Sequence, residues 1–235
     1  MRRFAENLTF SCMVQPVFEE VFRTDYKLKG EWRNQFFHNS NPIVLELGCG
    51  RGEYTVALAE RYPDKNFVGV DIKGARMWRG AKTATEQQMG NVGFLRTRIE
   101  FIDSCFGPGE VDEIWITFPD PQLRKSRVKK RLTAPDFLER YARFLRPGGT
   151  IHLKSDCRHL HDYTRAVAEG NQLPIEAANT DIYGTGFADE LLSIKTTYEK
   201  RFLAQGVPIT YLRFRLDDRN TFDPIEFAPD EQLLG

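Results

Sequence analysis

The feature that most restricts the fold is a junction. Ile43-Val44-Leu45-Glu46-Leu47, apolar but for one acid, runs directly into Gly48-Cys49-Gly50-Arg51-Gly52. The first segment reads as a buried strand. Glycines lack a Cβ, so the chain can turn tightly there and a ligand can approach the backbone. A helix follows over residues 53–61, stopped before Pro63, and a second strand over 67–70 closes on Asp71. Strand, glycine turn, helix and strand form the repeating unit of a parallel sheet. An acid at the end of the second strand is placed to accept hydrogen bonds from ribose hydroxyls.

Glu53 narrows the ligand. The dinucleotide fingerprint Gly-x-Gly-x-x-Gly needs glycine at that position, and a glutamate at a helix start repels a pyrophosphate. S-adenosylmethionine carries no phosphate and has an amine that Glu46 can hold, so it is favoured over NAD. Taken alone, the turn has a plainer reading as a tight strand-to-helix connection.

The rest of the chain alternates in the same way. Residues 1–40 show no clean periodicity, with short helices at 14–22 and 30–37, and read as an extension. Later come a helix at 73–89, a strand at 92–95 and a strand at 114–117. A proline-initiated helix runs from 133 to 145 and stops at Arg146-Pro147-Gly148-Gly149. A strand at 150–154, a helix at 158–169, an extended segment at 174–178, a helix at 191–203 and a closing strand at 207–216 complete the pattern. The expectation is an α/β, doubly wound, mostly parallel seven-stranded sheet over 41–216, with helices on both faces and an antiparallel closing strand. An acidic tail, 217–235, follows.

The second informative stretch is 114–132. Ile114-Trp115-Ile116-Thr117 has the content of a buried strand and breaks on Phe118-Pro119-Asp120-Pro121. Two prolines end the strand and stiffen the loop that carries Asp120. Of the eight residues from Arg124 to Arg131, six are Lys or Arg. The chain as a whole has 33 basic and 33 acidic residues, so a polyanion would have to be met by this local cluster. The plainer reading of a charge run is a solvated face.

Other function classes lose support. The four cysteines, Cys12, Cys49, Cys105 and Cys157, form no Cys-x-x-Cys pair, which fits a reducing compartment and gives no zinc or disulfide framework. Cys157-Arg158-His159-Leu160-His161-Asp162 lacks a second ligand cluster and reads as surface residues near a helix start, so no metal is expected. No segment approaches the roughly 18 consecutive apolar residues of a membrane span. A cytoplasmic protein without membrane contact is expected, and a homodimer is compatible with the sequence.

Glu46, Asp71, Asp120 and Asp156 all fall at or beside the carboxyl ends of expected strands, where open α/β sheets bind ligands. Any one of them could be a helix cap or a turn former. Together with the glycine turn they carry a resemblance. Glu46-Leu47-Gly48-Cys49-Gly50-Arg51-Gly52 resembles the first motif of the Rossmann-like class I S-adenosylmethionine-dependent methyltransferases. Phe118-Pro119-Asp120-Pro121, the basic run, Lys154-Ser155-Asp156 and Thr196-Thr197-Tyr198-Glu199 together resemble the tRNA (guanine-N7-)-methyltransferase family.

The resemblance implies transfer of a methyl group to N7 of the guanine at position 46, in the tRNA variable loop, leaving S-adenosylhomocysteine. It implies cofactor contacts at Glu46, Gly48, Gly50, Asp71, Arg98 and Asp120, with Asp120 also the catalytic acid. Substrate contacts would be Arg124, Asp156, Thr196, Tyr198 and Glu199. The phosphate contacts would be Lys125, Arg127, Lys129, Lys130 and Arg131. Three departures stand out. Gln122-Leu123-Arg124 replaces the family's usual Trp-Pro-Lys, and Arg98 stands where the family often has an acid or amide, leaving the backbone to make that contact. Ser155-Asp156-Cys157 replaces Thr-Asp-Asn. The rival readings are a methyltransferase for another RNA or a small molecule, and a non-catalytic RNA-binding partner subunit.

Overall fold

A computed structural model describes residues 2–227 of the 235-residue chain. The chain divides into two compact units, one ending at Trp115 and one starting at Ile116. The expected tail therefore lies partly outside the described residues, Asp230 and Glu231 included.

The first unit contains α1 (Arg2–Asn7), β1 (Met13–Val14), α2 (Phe18–Val21), β2 (Ile43–Leu47), α3 (Glu53–Arg61), β3 (Asn66–Asp71), α4 (Gly74–Glu86), β4 (Val92–Arg96) and most of β5 (Val111–Thr117). Its strands lie in the order β1-β4-β3-β2-β5. The pairs β1–β4, β3–β4 and β2–β3 are parallel. The order runs outward from β2 to β3 and β4 on one side and to β5 on the other, so β2 sits at the switch in direction. All five of its residues are buried, as an apolar run covered on both faces requires.

β2 and α3 form with the expected bounds, while the helix expected over 14–22 covers only Phe18–Val21, and two further differences bear on the unit's shape. β1 is an eighth strand beyond the seven expected, because a two-residue strand is too short to leave a period in the sequence. Residues 32–37 form a π-helical turn whose Trp32 is buried against Phe106, ring centroids 5.0 Å apart. The carboxylate of buried Glu110 organises this corner by accepting from the amides of Gly30, Trp32 and Gly107 at 2.7–2.9 Å.

The second unit contains α5 (Pro135–Ala142), β6 (Leu145–Ser155), α6 (Arg158–Gly170), β7 (Ile175–Asn179), α7 (Thr197–Ala204) and β8 (Thr210–Arg215). β8 lies between β6 and β7 and is antiparallel to both, so the closing strand is the expected antiparallel addition. The Arg146–Gly149 segment was expected to be a break, yet it belongs to β6. Gly148 N–H donates to Leu216 O, and Leu216 N–H donates to Gly149 O, each at 3.0 Å, which draws the segment into the sheet. The helix expected over 191–203 begins only at Thr197, because the preceding carbonyls turn inward to a buried lysine described below.

Candidate functional site

In the first unit the glycine turn is fixed from β3. Gly48 and Cys49 donate their amides to Val70 O at 2.8 and 3.0 Å. Gly48 has φ +78°, and a Cβ built there would meet no atom within 4 Å. Open space beside a left-handed backbone is what a closely approaching ligand needs. Gly52 differs: a Cβ there would collide with the Phe94 ring, so this glycine serves internal packing.

Asp71 braces the turn. Its carboxylate accepts from Gly50 N–H at 2.9 Å and from Lys73 N–H at 2.8 Å. Each oxygen can accept a second bond, so these contacts are compatible with ribose recognition. Beside it, Ile72 is 49% exposed and offers an apolar surface on which a purine can pack. Glu46 is buried at the end of β2 and accepts from the Thr55 amide at 2.9 Å and from the Thr55 hydroxyl. The acid thus ties β2 to the first turn of α3, a local role that the sequence reading did not foresee. Arg98 is exposed, with its guanidinium beside Glu100 at 3.4 Å and over the Phe101 ring. Burial and the nearby Glu46 and Asp71 carboxylates push the Cys49 thiol well above its ordinary pKa, which disfavours the thiolate.

In the second unit Asp120 is exposed and its loop is tightly defined. Phe118 and Gln122, on either side of it, both adopt positive φ, +49° and +48°. Bulky residues hold such angles only where surrounding contacts over-determine them. Those contacts are present. Phe118 N–H donates to Lys154 O at 2.8 Å, and its ring stacks with Phe202 of α7. Gln122 N–H donates back to Asp120 Oδ1 at 3.1 Å.

The basic run forms a 3-10 helix, Lys125–Lys130, entered through Arg124. With three residues per turn, residues three apart share an edge. Arg124, Arg127 and Lys130 form one exposed row, and Lys125 and Lys129 are exposed beside it. Val128 is half-buried, and Arg131, the extended C-cap residue that follows the helix, is only 2% exposed. Arg131 therefore leaves the set of expected phosphate contacts: the chain turns extended there, and its guanidinium donates to the Pro121 and Gln122 carbonyls in the interior.

The expected substrate residues divide similarly. Asp156 is half-buried after β6, and burial raises its pKa. Tyr198 is exposed. Thr196 and Glu199 take internal roles. Thr196 caps α7, its hydroxyl accepting from Glu199 N–H at 3.2 Å. Glu199 is fully buried, accepting from Lys154 Nζ at 2.8 Å and from the Tyr183 hydroxyl at 2.6 Å. Lys154 Nζ also donates to Leu192 O and Ile194 O at 2.6 and 3.1 Å. Burial lowers the Lys154 pKa against the pull of Glu199, and raises that of Tyr183. This buried network turns two expected contact residues into anchors. The Thr-x-x-Glu spacing of a capping box and a lysine ending a buried strand were the available signals.

His159 and His161, expected at the surface, are both buried on the inner face of α6. Among the described residues no cluster of three or more His, Cys, Asp or Glu is arranged to hold a metal ion. No helix among them is long and apolar enough to cross a membrane.

The fold has counterparts among known methyltransferases. A family model described as "Putative methyltransferase" matches residues 40–212. A solved 16S rRNA (adenine(1408)-N(1))-methyltransferase variant from Catenulisporales acidiphilia shares the fold at TM-score 0.57 and 19% identity, over 83% of this chain and 93% of that one. The class is that of the α/β methyltransferases. More specific similarity lies in sequence. The tRNA (guanine-N(7)-)-methyltransferase of Christiangramia forsetii is 52% identical over 92% of this chain and 97% of its own. That of Porphyromonas gingivalis is 53% identical over 87% and 85%. The chain belongs to the tRNA (guanine-N(7)-)-methyltransferase family.

Proposed function

We propose that the protein transfers the methyl group of S-adenosylmethionine to N7 of a tRNA guanine, that at position 46 of the variable loop. The observation that carries this reading is identity of about half with tRNA guanine-N7-methyltransferases along nearly their full length. The open cradle at Gly48 and the exposed acid next to an exposed cationic helix supply matching geometry.

When bound, S-adenosylmethionine supplies an electrophilic methyl group on a sulfonium. Gly48 and Gly50 would admit it to the backbone, Asp71 would accept from its ribose, and the Glu46 carboxylate would hold its amine. Guanine N7 already has an accessible lone pair, so the protein needs no base to free it. The chain's task is alignment and charge. Positive charge moves onto the purine during transfer, and the fixed Asp120 carboxylate stabilises it there. Asp156 accepts from guanine's donor edge. Arg124, Lys125, Arg127, Lys129 and Lys130 hold phosphates without reading sequence. The reading places the reaction in the cytoplasm.

The test is incubation of tRNA with labelled S-adenosylmethionine and nucleoside analysis. Label is expected in 7-methylguanosine, and Asp120→Asn should abolish it while cofactor binding largely survives. Label in another nucleoside, or full activity of Asp120→Asn, would refute the assignment.

A further inference from the structure

The sequence puts Arg131 at the end of a run of cations, and the structure separates it from them. Its Nε donates to Pro121 O at 3.0 Å, and its Nη2 donates to Gln122 O at 3.3 Å. Nη2 also lies 3.2 Å from His159 Nε2, and the guanidinium carbon sits 4.2 Å above the Tyr163 ring. No carboxylate among the described residues pairs with it, and burial lowers its pKa. A buried cation without a counter-charge is costly, so the site must gain something from the fork of donors that lysine could not supply.

What it gains is visible in the loop. The two carbonyls that accept from Arg131 belong to the residues directly after Asp120, and one of them is Gln122 with its positive φ. The other end of the loop is fixed by the Phe118 amide on Lys154 O. The acid thus stands between two restraints, and one of them is the C-cap residue directly after the helix that carries the phosphate-binding cations.

We propose that Arg131 is a positioning residue: it holds the Pro121 and Gln122 carbonyls so that Asp120 keeps its reactive placement, and it links that placement to the cationic 3-10 helix. This rests on the reading of Asp120 as the acid at the methyl acceptor. His159 joins as an acceptor through Nε2, which requires its neutral form with the proton on Nδ1.

Arg131→Lys and Arg131→Met test it, measured by single-turnover rate at saturating tRNA and S-adenosylmethionine, by tRNA affinity against salt, and by hydrogen exchange of the amides at 118–124. Lys keeps the charge without the fork, and decides the matter should the Met variant fold poorly. Both should lose about 10²-fold in rate, the scale of a misplacement near 1 Å. Their tRNA affinity and its salt slope should match the wild type, with faster exchange at the Gln122 amide. A slope shallower by about 0.7–0.9 with the saturated rate retained would make Arg131 an ordinary phosphate contact and overturn the proposal. So would a lower unfolding temperature with unchanged rate and exchange. Wild-type protein that binds tRNA yet makes no 7-methylguanosine would instead sink the functional reading, and the exchange data would still decide whether Arg131 holds the loop.

Discussion

Replacing Lys154 by methionine should be among the most damaging single changes in the second unit. The side chain is fully buried, as is its partner Glu199, and Nζ serves both carboxylate oxygens at 2.8 and 2.9 Å besides two backbone carbonyls. Methionine keeps the volume and removes every donor. Removing one partner of a buried pair costs about 3–5 kcal/mol, because the remaining charge is left without compensation. Each kcal/mol lowers the melting temperature of a domain this size by about 2–4 °C, so a fall of about 6–20 °C is expected. The loss should begin locally, since the carbonyls of Leu192 and Ile194 and the start of α7 all hang on this one amine. Urea and thermal unfolding of Lys154→Met, Glu199→Met and the double variant form the assay, with hydrogen exchange over 191–204 locating the change. The double variant should be more stable than the sum of the single effects by about 0.5–3 kcal/mol. A Lys154→Met protein within 1 kcal/mol of wild type, or strictly additive effects, would refute the claim that the pair anchors this segment.

Glycine substitutions should separate ligand approach from packing. Gly48→Ala should cost about 1–2 kcal/mol of stability through its left-handed backbone and weaken S-adenosylmethionine binding by calorimetry. Gly52→Ala adds the collision with Phe94, about 1–3 kcal/mol more, and should show mainly in the melting temperature. Asp156 is raised above its ordinary pKa by burial, so its contribution to stability is fully present in acid and is lost as pH rises through its folded value. Asp156→Asn should therefore melt higher than wild type at pH 7 to 8, converge with it below about pH 4, and bind guanine substrate less well. Removing the exposed cations Lys129 and Lys130 together should reduce the slope of log affinity for tRNA against log salt by about 1.4–1.8, measured by filter binding.

Much of the fold was legible because its signals are local. An apolar run, three glycines and a helix start in 43–61 leave few alternatives, and the structure places β2 and α3 there with the expected bounds. The prolines around Asp120 fixed the end of β5 in the same way. Weak or short signals misled. The two-residue β1 was invisible, and Arg146–Gly149 carried every mark of a break while its hydrogen-bond partners lay in residue 216.

The amino-acid sequence alone determined the class of fold, the family motifs, and that a rigid acid stands directly before a cationic segment. Those are properties of residue type and spacing, and chain order preserves them. Only the tertiary structure decided which charges are available to a ligand. Arg131 and Glu199 look as reactive in the chain as Lys129 and Asp156 do, yet both are buried. Whether a charge faces water or the interior depends on partners brought from 9 to 45 residues away, and residue type and spacing along the chain do not show those partners.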